Sequence, residues 1–363
     1  MKKKIIFAVT NDLTYDQRMY KICTSLSSAG YEVKLVGRLR KNSIDFNPSH
    51  FSSHRIKCFS DKGKLFYLEY NFRLFFYLLF ISFDIVSAID LDTVAPCYFA
   101  GKLKLKPIVF DAHEYFPEVP EVLHRPFTKK VWLWGEAFFV PRIKYLYTVS
   151  DGLAEIFKRK YKVDFTVIRN ISILQESSLI NTSEKYILYQ GMLNKGRGLE
   201  QLIEAMPNID SKLYLAGDGD IALNLKEKVA QLKLENKVQF LGLLKPDELR
   251  AVSLQAYIGI NLLENIGASY YFSLSNKFFD YIHAGIPQIA MNLPEYKKLN
   301  DQYKVGVLLD DLNIKKIAEA INQLLNDRIL YQGLKENTLI AQKELCWQKE
   351  EEKLLEIYKK INI

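Results

Sequence analysis

The stretch Tyr186-Ile-Leu-Tyr-Gln-Gly191-Met-Leu-Asn-Lys195-Gly196-Arg197-Gly198-Leu-Glu-Gln-Leu-Ile-Glu-Ala205 reads as strand, glycine-rich turn and helix in direct succession. A short apolar run ends at Gly191, and beyond the turn Leu199, Leu202, Ile203 and Met206 recur at the spacing of a helix with one buried face. Between them stand Lys195 and Arg197. A helix N-terminus offers only about half a positive charge. A diphosphate seated there therefore needs a side-chain cation to complete the balance. The glycines fit neither the G-x-G-x-x-G nor the G-x-x-x-x-G-K-S/T spacing. A plain tight turn remains the other reading of these residues.

A second stretch lies downstream: Phe272-Ser-Leu-Ser-Asn-Lys-Phe-Phe-Asp-Tyr-Ile-His-Ala-Gly285-Ile-Pro287. Its pattern predicts a loop feeding a helix that starts near Ser275 or Asn276 and stops at Gly285 before Pro287. Lys277 and Asp280 share a face at i,i+3. Amides at the helix start and the Lys277 ammonium suit a diphosphate, and a carboxylate one turn on can accept bonds from ribose hydroxyls. An ordinary amphipathic helix with Phe278, Tyr281 and Ile282 as its core stripe is the competing reading.

Together the two stretches resemble the retaining glycosyltransferases of the family 4 type, and the resemblance extends along most of the chain. It implies the GT-B fold: α/β, with two Rossmann-like doubly wound domains facing a central cleft and a C-terminal helix that crosses back to the first. In that family a strand ends in Gly-Arg and a Lys-Gly follows; here the two positions are Met192 and Arg197, with Lys195 as a substitute for the missing cation. The family's paired glutamates correspond to Phe272 and Asp280, so this chain looks like the variant with a Ser-x-x-Asn-Lys-x-x-Asp donor loop. The resemblance implies a UDP- or GDP-sugar donor. Gly191, Lys195, Gly196, Arg197, Ser275, Asn276 and Lys277 would hold its phosphates and Asp280 its ribose. A retaining transfer to a hydroxyl acceptor in surface polysaccharide or glycan assembly follows from the same likeness.

The first half fits that picture. Lys4 to Thr10 is a near-continuous apolar strand, the loop Asn11-Asp-Leu-Thr-Tyr-Asp16-Gln-Arg18 opens a helix ending near Gly30, and Glu32 to Arg38 is the next strand. Further on, Ile108-Val-Phe-Asp111-Ala-His113-Glu114 is a strand running into a polar cluster. His113 takes the place where the family sets a histidine beside the donor sugar, and is assigned a catalytic role with Arg197 and Lys277. Asn11, Asp12, Asp16, Arg18 and Glu114 are expected on the acceptor or cleft side. Asp90-Leu-Asp92 and Asp218-Gly-Asp220 spell Asp-x-Asp, but each follows an apolar run and reads as a turn with helix-capping acids. His50 and His54, close to Pro48 and several serines, read as loop. No metal and no cofactor are expected.

Composition agrees: 363 residues, 48% hydrophobic and 25% charged, are enough for two ordinary cores. Expected boundaries are 1–170, a linker at 171–185, 186–340 and a final helix at 341–363, with Trp347 as its anchor. Cys23, Cys58, Cys97 and Cys346 are dispersed without C-x-x-C spacing, so they read as buried reduced thiols. Met1-Lys-Lys-Lys4 precedes a strand rather than a signal sequence, which points to a cytoplasmic location. Residues 1–170 carry a formal +10 and residues 171–363 carry −2. Cations mixed with Phe127, Trp132 and Trp134 fit either a solubilising surface or peripheral contact with an anionic membrane and a lipid-linked glycan acceptor. No motif supports nucleic acid. The apolar part of the run 66–83, Leu74 to Ile81, is far short of the ~20 residues of a membrane span and predicts a buried core helix leading into the strand at Asp84, with membrane-surface contact as the other reading. Three other functions stay open: a GT-B sugar-nucleotide epimerase, a catalytically decayed nucleotide-sugar-binding protein, suggested by Met192 and Phe272, and a plain binding module.

Overall fold

A computed structural model of the chain describes residues 2–175 and 185–361. It divides into two compact units, Met1–Arg169 with Glu350–Ile363 and Asn170–Lys349. Residues 176–184, most of the expected linker, lie outside the described residues.

The first unit is built on seven parallel strands: β1 (Lys4–Ala8), β2 (Glu32–Leu39), β3 (Ser52–Lys57), β4 (Ile85–Ile89), β5 (Ile108–Ala112), β6 (Tyr145–Thr148) and β7 (Thr166–Val167). They run in the order β3-β2-β1-β4-β5-β6-β7. The second unit has six, β8 (Tyr186–Gln190), β9 (Lys212–Ala216), β10 (Val238–Gly242), β11 (Ile258–Asn261), β12 (Gln288–Met291) and β13 (Gly306–Leu309), in the order β10-β9-β8-β11-β12-β13. Parallel sheets are covered on both faces, which is why β4, β5 and β8 are buried at every position and read as unbroken apolar runs. In each sheet the strand order reverses once, between β1 and β4 and between β8 and β11. Ligands of such sheets bind beyond the carboxyl ends of the strands at that switch point.

Each unit has its own core. In the second, Tyr189, Leu202, Ile203, Ile260, Phe278, Phe279, Ile282 and Tyr296 are fully buried together. Each large apolar side chain so placed contributes about 1.5–3 kcal/mol. In the first, the connections from β3 to β4, β4 to β5 and β5 to β6 all step across the sheet in one direction. Right-handed crossovers therefore put the helices Gly63–Phe80, Leu91–Leu103 and Pro126–Phe139 on the same face.

Three expectations are corrected. Helix Gly63–Phe80 is not buried all round: Phe66, Tyr70, Leu74 and Leu78, spaced by four, face the core, while Leu65, Leu68, Phe72, Phe76 and Phe80 face outward. His54 sits in β3 rather than in a loop, its ring stacked 4.4 Å from that of Tyr77. The final segment is two helices, Arg328–Glu344 and Trp347–Lys359, separated at Leu345 and Cys346. Trp347 donates its backbone N–H to Ser172 O in the second unit. Tyr358 belongs to the first, its hydroxyl 2.9 Å from Ser87 Oγ and its ring 6.0 Å from that of Phe7.

Candidate functional site

In the second unit the chain leaves β8 through Gly191, at φ +122°. Gly217, after β9, has φ +150°, and a Cβ on it would stand 1.9 Å from the Gly191 carbonyl oxygen. The two turns are pressed together and only glycine fits at the contact. Leu193 N–H donates to Asp218 O at 3.0 Å, and Asp220 N–H donates to Asn194 Oδ1 at 3.1 Å, so Asp218-Gly-Asp220 serves this turn pair.

Helix Asn276–Ala284 starts after Ser275 and ends at Gly285, φ +71°. Lys277, in its first turn, is only 8% exposed. Its Nζ lies 4.0 Å from the centre of the Tyr189 ring and 4.0 Å from where a Cβ on Gly191 would stand. That ammonium has no hydrogen-bond partner. Burial, and then the charge of Arg197, hold its pKa well below the ordinary lysine value, with Asp280 acting the other way. Arg197 lies over the Tyr270 ring at 5.0 Å, and its Nε is also buried without a partner. Asn261, the last residue of β11 and 1% exposed, leaves its Nδ2 unpaired while its Oδ1 accepts from Ser275 Oγ at 3.0 Å. Buried donors are almost always satisfied, and each one left open costs about 1–3 kcal/mol. Three of them meet the carboxyl ends of β8 and β11, the strands that flank the switch point. The arrangement can bind an anion.

Other expected donor residues sit around this group. Ser275 N–H donates to the Tyr296 hydroxyl at 3.1 Å. Gly196 packs on Tyr270, and Asn276 and Lys195 are exposed. Asp280 accepts from Ser172 Oγ and, at 2.7 Å, from Gln190 Nε2; Gln190 in turn accepts from Ser253 Oγ at 2.8 Å. Met192 is 52% exposed, and Phe272 is half-buried with its ring 4.8 Å from that of Tyr271. Sequence reasoning missed Tyr189, Gln190, Asn261 and Tyr270. Gln190 could have been found from its place at the end of an apolar strand just before the Gly191 turn.

In the first unit a charged cluster lies beyond β4 and β5. Arg18, 4% exposed, donates to Asp111 Oδ1 at 3.0 Å and to Ile168 O at 3.1 Å. His113 Nε2 is 2.8 Å from Asp111 Oδ2 and 2.7 Å from Arg18 Nε. One nitrogen cannot donate to the carboxylate and accept from the guanidinium at once, so a ring protonated at Nε2, the imidazolium included, makes the first bond and the neutral Nδ1–H tautomer makes the second. Burial opposes charge on His113, but Asp111 and Asp90 outweigh it and, against Arg18, raise its pKa. Asp90, at φ +59°, accepts the backbone N–H of His113 at 2.7 Å. Asp92 accepts from Thr10 Oγ1 at 2.5 Å, and burial, then Asp90, push its pKa up to about 7.

The residues expected on the acceptor side are placed differently from one another. Arg18 points inward, because the buried Asp111 carboxylate needs its charge. Asp12 accepts from Thr14 N–H at 3.4 Å and pairs with Arg55 at 3.5 Å. Asp16 caps helix Gln17–Ser28 through Met19 N–H at 3.0 Å and also accepts from Asn11 Nδ2 at 3.0 Å. Asn11 and Glu114 are exposed.

Solved structures share this architecture over nearly the whole chain. Sucrose-phosphate synthase from Thermosynechococcus elongatus is 17% identical with a TM-score of 0.81, covering 99% of this chain and 98% of that one. HepE from Anabaena, solved in complex with UDP-glucose, is 15% identical with a TM-score of 0.75, covering 99% and 100%. At such identities the likeness is one of fold. Residues 17–171 match the model for Glycosyltransferase Family 4, and residues 170–339 match that for Glycosyl transferases group 1. The fold is that of the GT-B glycosyltransferases, and each unit matches a glycosyltransferase model. A curated relative, an uncharacterised glycosyltransferase of Methanocaldococcus jannaschii, is 28% identical over 152 residues, 41% of this chain and 37% of the relative. The chain thus spans about a third of that relative's length.

Proposed function

We propose that this glycosyltransferase moves a sugar from a UDP- or GDP-sugar to a hydroxyl of a glycan or lipid-linked glycan, with retention, in surface polysaccharide or glycan assembly at the inner face of the membrane. The observation that carries the reading is the buried, unpartnered Lys277 ammonium beside Gly191 and Arg197. A diphosphate supplies the acceptors that these donors lack and the negative charge that two neighbouring cations call for. The UDP-glucose complex of Anabaena HepE supports uracil as the base.

In this reading Arg197 and Lys277 hold the phosphates with the Gly191–Gly196 turn and the Ser275–Asn276 helix start. Lys195 adds a cation at the solvent side, and Asp280 meets the ribose. The bond from the anomeric carbon to the diphosphate oxygen breaks as the bond to the acceptor oxygen forms on the same face. The acceptor proton passes to the leaving phosphate oxygen. The protein is then left to hold geometry and stabilise departing charge, with no resident cofactor.

Calorimetry with UDP, GDP and UMP tests the donor site. Tight binding of one nucleoside diphosphate, with UMP far weaker, is expected; equal binding of UDP and UMP would overturn the assignment of Lys277 and Arg197 to the diphosphate. Met192 and Phe272 favour one second reading, a decayed binding protein, and tight diphosphate binding without turnover of any donor and acceptor pair would select it.

A further inference from the structure

We propose that the outer face of helices Gly63–Phe80, Leu91–Leu103 and Pro126–Phe139 is a docking surface for an anionic lipid bilayer. This deepens the acceptor reading above and rests on it for its purpose, while the surface stands on its own residues.

The three helices lie on one face of the first sheet and touch one another. Lys64 Nζ is 5.2 Å over the Phe127 ring, Tyr67 and Trp132 meet at 5.9 Å, and Phe99 and Phe139 meet at 5.9 Å. From this layer Leu68, Phe72, Phe80, Leu103, Phe127 and Trp134 project outward, each at least 66% exposed. An apolar area of that breadth on a surface marks something that covers it.

The charge says what covers it. Segments 62–80, 91–106 and 125–144 hold eleven Lys and Arg against three acids, Glu69, Asp92 and Glu136, and the last two are buried. Two copies of this face would set cations against cations, which disfavours self-association. The Arg142 guanidinium lies 4.4 Å over the Phe138 ring and donates to Phe138 O at 2.6 Å, which fixes a cation directly on the apolar layer. At the edge of the layer a cavity of about 340 Å³ is lined by Lys102, Lys106, Arg142 and Lys144, beside the exposed tip of Leu105. Apolar side chains beside cations are what an interfacial surface offers to acyl chains and anionic headgroups. Among the described residues no helix is long and apolar enough to cross a membrane, so contact of this layer is contact along the surface.

The test is co-sedimentation of the full chain with vesicles of phosphatidylcholine alone and with phosphatidylglycerol added, at low and high salt. Binding only to the anionic vesicles, weakened by salt, is expected. Lys102→Glu with Lys130→Glu is expected to lower partitioning roughly tenfold or more. Phe72→Ser with Phe80→Ser is expected to lower it comparably, with UDP affinity unchanged in both. No binding to anionic vesicles, equal binding to both kinds, or full binding by both double variants overturns the proposal. A dimer that the serine pair dissociates, in a chain that ignores vesicles, overturns it in favour of a second copy. Vesicle binding by a chain that fails to bind any nucleotide would remove the donor reading and leave this one standing.

Discussion

Lys277 is a side chain whose cost in the empty protein points to its use. A buried ammonium without a partner weakens the folded state, and replacing it with an apolar group of similar length removes that penalty. Lys277→Met is therefore expected to raise the melting temperature of the unliganded protein. The same change is expected to lower UDP affinity roughly ten- to a hundredfold, the loss of one charge-assisted bond of about 1.5–3 kcal/mol. Calorimetry beside thermal melts checks both directions, and an unchanged affinity would show that the diphosphate lies elsewhere. Arg18 works the other way. Removing it in Arg18→Ala strands Asp111, which is fully buried, and is expected to destabilise the protein by about 3–5 kcal/mol in denaturant titrations. His113 couples that cluster to pH. Its pKa is raised in the folded state. Its pairing with Asp111 therefore stabilises fully below the ordinary histidine value of about 6.5 and is lost as pH climbs through the raised value. Melting temperatures of the wild type and His113→Gln are expected to differ most in acid and to converge as pH rises. The sequence named Lys277, Arg197 and His113 because cations beside glycine turns and a histidine at a strand end carry local signals. It did not name Asn261 or Tyr189, since nothing near them in the chain marks a residue that becomes important only once β8 and β11 lie side by side.

Among elements, the strands were the most legible. A doubly covered parallel strand must be apolar on both sides, and Lys4–Ala8, Ile108–Ala112 and Tyr186–Gln190 are short runs of that kind. The helix start at Ser275 and its stop at Gly285 were equally plain, because a positive φ after a helix calls for glycine. Less was visible where tertiary contact decides. Helix Gly63–Phe80 is apolar on two faces, so its composition points to a core although one face is open. The break at Leu345 and Cys346 carries neither proline nor glycine and could not be read. Nor did any sequence signal tie the turn after β8 to the turn after β9, a contact made by Gly217. Gly217→Ala forces a Cβ onto the Gly191 carbonyl oxygen. It is expected to displace the Gly191 turn and abolish UDP binding while the first unit keeps its structure, as hydrogen exchange of the Arg18 cluster would report.

For the molecule as a whole, the division at Arg169 and Glu350 makes a prediction about where ligand energy appears. The proposed diphosphate contacts, Arg197 and Lys277, both lie in the second unit. At a hundredfold excess over its dissociation constant UDP would add about 2.7 kcal/mol to whatever it binds. Hydrogen-exchange protection is expected to rise in strands β8, β9 and β11, and a rise confined to residues before Arg169 would contradict the site. The two sheets were foreseeable from alternating strand and helix patterns, but the membership of residues 350–361 in the first unit was visible only through the family likeness. That membership bears on how the protein is made. Ser87 and Tyr358 are 271 residues apart in the chain yet bonded in the finished protein. A ribosome releases Phe7 and Ser87 early and supplies the helix that covers them only after the whole second unit. The second unit, contiguous in sequence, can close while the first still waits for its final piece, so a nascent or C-terminally clipped chain presents an uncovered Phe7 surface to chaperones and proteases.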